Sequence, residues 1–474
     1  MRDRTESLAG VGAIVLAAGQ GTRMRSQVPK VLHPLAGRTM LGWVLAAVAD
    51  AGVKHVVTVV GHGADDVRAA LPDGVVAAVQ EEQRGTGHAA QVGLDAMDER
   101  CDTVLVLCGD TPLLTGDLLD RVLSAHIESR ATASLLTAEL DDPAAYGRVI
   151  RGMEGGVERV IEASDATPQQ LSVREINVGV YVADRAELCA ALEGVGSANA
   201  QGEVYLPDAL PLLNGPVGAL SIDDPSVALG INTRVELAAC EAVLQERLRE
   251  ELMLSGVTMP DPTRVLLEVS VRAGQDTVLW PGTSLRGDTQ IGADSEIGPD
   301  VTLIDSTVGD GATVVAAHVV ESEIGDGCQV GPYARLRPGS RLAAGARVGT
   351  YVETKNAGLG PGAKVPHLSY IGDAEIGEGS NIGAGNITAN YDGFRKHSTT
   401  IGARVKTGSD CVFVAPVTLG DDVMTGAGSI ITDDVPDGSL GIARARQSVI
   451  EGFTARAADR ARRAAESADG EGTA

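Results

Sequence analysis

The run Leu16-Ala17-Ala18-Gly19-Gln20-Gly21-Thr22-Arg23-Met24 closes the first apolar segment of the chain, and Pro29-Lys30 follows it. Small residues let backbone N–H groups approach a polyphosphate, and Arg23 and Lys30 add positive charge for its oxygens. The spacing is not the dinucleotide-binding GxGxxG, because Arg23 and Met24 stand where the third glycine should follow. Farther on, Asp110 in Cys108-Gly109-Asp110-Thr111-Pro112 follows the apolar run Thr103–Leu107. A carboxylate at the carboxyl end of such a strand suits Mg²⁺, which takes a few hard oxygen ligands and shares substrate phosphates. Read alone, Asp110 serves equally as a turn aspartate, and Asn232 as a helix cap.

A second constellation lies between Tyr333 and Gly393. Arg335, Lys355, His367, Tyr370, Asn381 and Asn390 fall within about 60 residues, and this concentration of polar and cationic side chains in a domain with few cations points to an anionic substrate. Forming an amide requires a base to take a proton from the attacking amine, and a neutral imidazole does this near pH 7. His367, flanked by Lys355 and Tyr370, is the candidate base.

Three kinds of element must position these residues. From about residue 11 to 230, short Val/Ile/Leu runs alternate with amphipathic stretches: Ala13–Ala17, Met40–Ala51, His55–Val60, Ala64–Ala70, Gly87–Met97, Thr103–Leu107 and Leu118–His126. The alternation predicts βαβ units and an α/β, Rossmann-like domain whose parallel sheet is covered on both faces. Between Arg234 and Ser255, Leu237, Cys240, Leu244, Leu248 and Leu252 recur every three or four residues, which predicts an amphipathic linking helix ended by Met259-Pro260-Asp261-Pro262. From Leu279 the period becomes six, through Leu285, Ile291, Ile297 and Leu303, through Ile324 to Val348, and again from Ile401 to Ile431. Three short strands per coil predict a triangular parallel β-helix, with the Gly-rich segment 349–400 interrupting the register as loops. The expected organisation is 1–233, a linking helix 234–262, a β-helix 263–453 and a frayed or disordered tail 454–474.

Composition agrees with this division. Among 474 residues, Gly is 59 while aromatic residues are 3%, as a repetitive coil without an aromatic core requires. The net charge of −25 excludes a field for a nucleic-acid backbone. Cys101, Cys108, Cys189, Cys240, Cys328 and Cys411 have neither disulfide nor zinc spacing and read as reduced thiols of a cytoplasmic protein. The apolar stretch Leu8–Gly19 reads as a buried strand rather than a signal segment, and no run reaches the roughly 20 residues of a membrane span.

The motifs LAAGQGTRM and PKVLHPLAG resemble those of sugar-phosphate nucleotidyltransferases. With QEEQRGTGHA (Gln80–Ala89), CGDTP, YGRV (Tyr146–Val149), VIEASDAT (Val160–Thr167), EINVGV (Glu175–Val180) and GINTR (Gly230–Arg234), the order is similar to that of the bifunctional N-acetylglucosamine-1-phosphate uridylyltransferase and glucosamine-1-phosphate N-acetyltransferase family. The second constellation resembles the same family, so the similarity runs from about Val11 to Phe453. The resemblance implies that Leu16, Ala17, Ala18, Gly19, Arg23, Lys30, Gln80, Gly85, Thr86, Cys108, Gly109 and Asp110 surround the uridine nucleotide, and Gly147, Glu162 and Asn177 the sugar. Asp110 and Asn232 would hold Mg²⁺. It further implies that His367 is the acetylation base, that Arg335, Lys355, Tyr370, Asn381 and Lys396 bind glucosamine 1-phosphate, and that Ala384, Asn390, Tyr391, Ser409, Ala427 and Arg444 contact acetyl-CoA. UTP and acetyl-CoA would be co-substrates, the left-handed β-helix would assemble a homotrimer, and the product would be UDP-N-acetylglucosamine for cell-envelope polymers. The chain departs from the family pattern at Cys108, where an aromatic residue is common, at Val204 and Pro207, at Asn356, where a second cation is common, at Pro366, where Gly is usual, and at Thr407, where a larger residue is usual.

Overall fold

A computed structural model describes residue 8 and residues 10–153 and 155–470. The chain divides into two compact units, 1–289 and 290–474.

The first unit is built on a nine-stranded sheet of β1 (Val11–Ala17), β2 (His55–Val60), β3 (Val76–Val79), β4 (Thr103–Cys108), β5 (Ala133–Glu139), β6 (Arg148–Arg151), β7 (Val157–Ile161), β8 (Glu175–Asp184) and β9 (Val217–Ile222). The strand order is β9-β5-β8-β4-β1-β2-β3, with β6 and β7 attached beside β8. β1 pairs in parallel with β2 and β4, and β2 with β3. The sheet is not parallel throughout, however: β8 runs antiparallel to both β4 and β5. The period of apolar residues reports burial and not strand direction, so this reversal has no trace in the pattern.

Alternation along β1 divides the core. Val11, Ala13 and Val15 pack on one face with α1 (Met40–Asp50) and α4 (Gly116–Ser129), whereas Ile14 joins the other face with α3 (Thr86–Asp95) and α5 (Arg185–Glu193). The short α2 (Ala64–Ala69) completes the expected alternation. α6 (Arg234–Leu254) is the expected amphipathic helix and buries Cys240 and Leu244 against Met24, Leu35 and Ile231. Its end comes earlier than Met259–Pro262, because Gly256 at φ 106° takes the left-handed turn that stops the helix. α6 is no bare spacer. Glu241 accepts the Ala36 N–H at 2.8 Å, and the Gln245 amide exchanges bonds of 2.6 and 3.0 Å with the backbone of Leu267 in the first coil.

The second unit is a left-handed parallel β-helix. The residues of the sixfold register, among them Ile324, Val330, Leu336, Leu342, Val348, Ile401, Phe413, Leu419 and Ile431, all point inward and are buried. Burying each large aliphatic side chain contributes roughly 1.5–3 kcal/mol, so one such residue per strand holds the stack without an aromatic core. Segment 349–400 is not mainly loops. Strands Glu353–Leu359, Lys364–His367 and Tyr370–Ile376 keep coiling, in register with their neighbours at Glu353↔Tyr370 and Thr350↔His367. Glycines replace the usual residues there because successive coils nearly touch: a Cβ on Gly349 would lie 2.0 Å from the Pro366 carbonyl oxygen. The true excursion is the hairpin-like loop from Asn390 to His397, closed by the His397 N–H on the Asn390 carbonyl. On one corner the rings of Tyr333 and Tyr351 stack 5.4 Å apart, with Leu368 at the matching place of the next coil, and all three are exposed. α7 (Phe453–Gly470) covers the tail expected to fray; residues 471–474 of that tail lie outside the described residues.

Candidate functional sites

β1 and β4 end side by side, with Leu16 opposite Cys108, and the Gly109 N–H donates to the Leu16 carbonyl at 2.9 Å. Beyond these ends opens a cleft of about 520 Å³. Its lining includes Leu16, Ala17, Ala18, Gly19, Arg23, Lys30, Gln80, Gly85, Thr86, Cys108, Asp110 and Asn232 from the expected set. It also includes Gly21, Gln83 and Glu203, which reading the sequence did not single out as site residues. Gly21 was visible in the small-residue run. It stands at φ 62°, and a Cβ there would lie 2.6 Å from the Lys30 Cβ, so glycine allows Lys30 to enter the cleft.

Lys30 Nζ donates to Asp110 Oδ2 at 2.6 Å and to Asn232 Oδ1 at 3.2 Å, and Arg23 donates to the same Asn232 oxygen at 2.9 Å. Asn232 is therefore not the cap of α6. Thr233 is, in a capping box with Glu236, whose carboxylate also takes the Asn232 N–H at 2.7 Å. The Ile231 N–H donates to the Asp110 carbonyl, tying the two segments together. Burial, and then the nearby Asp110 carboxylate, push the Cys108 thiol up to about 12, so it remains neutral.

Gly147, Glu162 and Asn177 do not line the cleft but lie together, Gly147 just before β6, Glu162 just after β7 and Asn177 on β8. The Asn177 N–H donates to Gly147 O at 2.9 Å, and the Gly147 Cβ position is 3.4 Å from Glu162 Oε1. Burial raises the Glu162 carboxyl above its ordinary value, with Asp208 and Asp165 adding to the effect. On β8 Gly179 joins this group to the cleft, its Cβ position 3.6 Å from Cys108 Sγ.

In the second unit the structure gathers Lys355, Tyr370, Asn390 and Lys396 around a residue the sequence did not mark, Asp373. Asn356 and Asn390 donate to its two carboxylate oxygens, and Gly372 leaves the space into which the Tyr370 hydroxyl and the Asn390 amide project. Burial alone would raise the Asp373 carboxyl, but those two hydrogen bonds and the Lys396 and Lys355 ammoniums hold it below its usual value. The adjacent Lys396 ammonium, a like charge beside it, lowers the Lys355 ammonium below its ordinary value. Asn356 thus serves as a neutral donor to Asp373. Asp373 carried no spacing signal, since its function comes from the stacking of coils.

Ala384, Ser409 and Ala427 form a column on successive coils: the Asp410 N–H donates to Ala384 O, and the Gly428 N–H to Ser409 O. Asn381 bridges Lys364 and Lys406 between coils. His367 is exposed at the strand end opposite Thr350, and its imidazole makes no hydrogen bond among the described residues. Arg335 is exposed on the strand beside Glu353, and Arg444 is exposed just past Ala443; neither is drawn into the Asp373 cluster. The exposed Tyr391 hydroxyl donates to Gly393 O.

A phosphate-approaching loop on an α/β sheet, followed by a left-handed β-helix with a cationic cluster, defines a nucleotidyltransferase joined to an acyltransferase. Residues 13–196 match the model of the MobA-like NTP transferase domain. The chain is 49% identical to the bifunctional protein GlmU of Mycolicibacterium vanbaalenii over 94% of this chain and 92% of that one. It is 49% identical to that of Streptomyces avermitilis and 48% to that of Heliobacterium modesticaldum, over 94% of this chain in both cases. The chain belongs to the GlmU family, the bifunctional transferases that make the cell-wall precursor UDP-N-acetylglucosamine by an acetyl transfer and a uridylyl transfer. All six cysteines are free, and no helix among the described residues is long and apolar enough to cross a membrane.

Proposed function

We propose that the two activities divide between the two sites: uridylyl transfer in the cleft beyond β1 and β4, and acetyl transfer around Lys355, Asn390 and His367. The observation that carries the first assignment is the convergence of Asp110 and Asn232 oxygens on one cation, Lys30. An ammonium held by two hard oxygens marks a place that suits Mg²⁺, which would supply charge neutralisation at the phosphates. No group of three His, Cys, Asp or Glu side chains among the described residues offers an all-protein metal cage, consistent with a metal that shares substrate oxygens. Arg23 and Lys30 neutralise the triphosphate, Gln80, Gly85 and Thr86 hold the base, and Gly147, Glu162 and Asn177 hold the sugar. The phosphate of N-acetylglucosamine 1-phosphate attacks the α-phosphorus of UTP, and pyrophosphate leaves.

In the acetylation site Lys355 and Lys396, with Arg335, Tyr370 and Asn381, bind glucosamine 1-phosphate. The phosphate relieves the repulsion between the two ammoniums, and that repulsion supports the assignment. The amine attacks the thioester carbonyl, His367 takes its proton, and the coenzyme A thiolate departs. The Asn390 amide and the Tyr391 N–H steady the oxyanion, while Ala384, Ser409, Ala427 and Arg444 contact the coenzyme. The exposure of His367 and of the Tyr333, Tyr351 and Leu368 corner supports a homotrimer in which a neighbouring chain covers the site. The enzyme works in the cytoplasm, with functional boundaries at 1–233, 234–262 and 263–453.

Product analysis tests this reading. Glucosamine 1-phosphate, acetyl-CoA, UTP and Mg²⁺ together should yield UDP-N-acetylglucosamine, omission of acetyl-CoA should leave no acetylated product, and omission of UTP or Mg²⁺ should stop at N-acetylglucosamine 1-phosphate. An acetylation that stopped without Mg²⁺ would refute the division between sites.

A further inference from the structure

We infer that His88, together with the Gly85 carbonyl, sets the base preference of the nucleotide site by holding the Gln80 amide with its oxygen toward the cleft. This rests on the reading of the cleft as the uridine nucleotide site. Gln80 is 3% exposed in the cleft wall just past β3, anchored by its own N–H on the Val60 carbonyl at 2.8 Å. Its Nε2 lies 3.2 Å from the Gly85 carbonyl oxygen and 3.0 Å from His88 Nδ1.

A carbonyl oxygen only accepts, so the amide atom facing Gly85 must be the nitrogen; the opposite placement would set two acceptors against each other. The second N–H of that nitrogen then points at His88 Nδ1, which must carry the lone pair. The imidazole is therefore neutral, with its proton on Nε2. Both Gln80 donors are consumed. The amide presents Oε1 alone to the cleft, and no donor among the described residues reaches it.

This frame is rigid. Gly85, at φ 107°, sits so close to the Val204 carbonyl that a Cβ would come within 2.5 Å of it, and the turn is pinned by Gly87 N–H on Val204 O and Val204 N–H on Arg84 O, both at 2.8 Å. His88 follows in the first turn of α3. A lone acceptor there matches the N3–H of uracil. Cytosine offers a bare lone pair at N3, and 3-methyluracil offers no proton, so both leave a buried acceptor unmatched. A buried unmatched polar group of this kind corresponds to discrimination on the order of 10- to 100-fold.

The test measures kcat and KM of the full-length enzyme for UTP, CTP and 3-methyl-UTP. Wild type should prefer UTP over both by that factor. His88→Leu, which removes the lone pair and leaves the amide nitrogen anchored by Gly85 O alone with its second N–H unmatched, should raise the KM for UTP with kcat held and shrink the UTP-to-CTP ratio of kcat/KM about tenfold. His88→Asn, whose carbonyl oxygen replaces Nδ1, should retain the preference. His88→Phe repeats the measurement should His88→Leu fail to fold. An unchanged ratio in a folded His88→Leu or His88→Phe, or equal loss in His88→Asn, overturns the inference while leaving the uridine reading intact. A wild type indifferent to 3-methylation overturns that reading itself.

Discussion

Lys30, Asp110 and Asn232 form a closed set in which one ammonium satisfies two oxygens. Replacing Asp110 by Ala leaves the cation point with a single neutral ligand, and the expected result is uridylyl transfer reduced by on the order of 10² or more with acetyl transfer near normal. His367→Ala should give the mirror image, with acetyl transfer lowered by about 10²–10⁴ and uridylyl transfer preserved. Separate assays of the two products check both, and a folded variant losing both activities would break the division of labour. Glu162 makes a different prediction. Its folded carboxyl is raised above the unfolded value, so it favours the folded state below the unfolded pKa, and that contribution is lost as pH rises through the folded pKa. Glu162→Gln should therefore melt higher than wild type near neutral pH, with the gap closing as pH falls to about 4. A gap independent of pH in thermal melts would show that the carboxyl is not strained by burial. At this scale the sequence was legible where chemistry sits on contiguous motifs, as with Arg23, Lys30 and Asp110. It was silent on Asp373, whose partners Asn356 and Asn390 reach it only through the stacking of coils.

Elements place these side chains through their ends. α6 begins at a capping box whose Glu236 carboxylate takes the N–H groups of both Asn232 and Thr233 at 2.7 Å. Glu236→Ala frees the segment that carries Asn232. The expected outcome is about 0.5–2 kcal/mol lost from the first unit, together with a severalfold higher Mg²⁺ concentration for half-maximal uridylyl transfer. Chemical denaturation and an Mg²⁺ titration measure the two, and an unchanged Mg²⁺ requirement would detach the cap from the site. The helix itself was legible because Leu237, Cys240 and Leu244 repeat at helical spacing. Its stop was misplaced, since prolines draw the eye while Gly256 ends the helix. The antiparallel entry of β8 was illegible because a strand buried on both faces looks alike in either direction. The coils between Gly349 and Ile376 were mistaken for loops because glycines that admit a neighbouring backbone resemble glycines that turn.

At the level of the whole molecule, the poverty in aromatic residues follows from a β-helix filled by one aliphatic residue per strand. The same coils leave His367 exposed and Tyr333, Tyr351 and Leu368 uncovered on a corner. If neighbouring chains complete each acetylation site, then mixing His367→Ala and Arg444→Ala chains, after dissociation and reassembly, should recover acetyl transfer above either parent, approaching about a quarter of the wild-type rate or less. A monomer by light scattering with full acetyltransferase activity would refute the shared site. Sequence periodicity disclosed the coil but not the uncovered corner, because Tyr333, Tyr351 and Leu368 stand outside the sixfold register of buried residues. The stacked Tyr333 and Tyr351 rings also give the molecule an optical consequence. Of the two tryptophans, Trp43 lies in α1 beside the nine-stranded sheet and Trp280 in the first coils of the β-helix, next to the strand Val278–Leu279, so the tryptophan emission of a Trp280→Phe variant follows the melting of the sheet domain alone. The tyrosine pair, with its rings 5.4 Å apart and 11° from parallel, couples its electronic transitions, so its near-ultraviolet dichroism reports the β-helix, and in that variant the two halves of this enzyme can be watched unfolding separately without any added label.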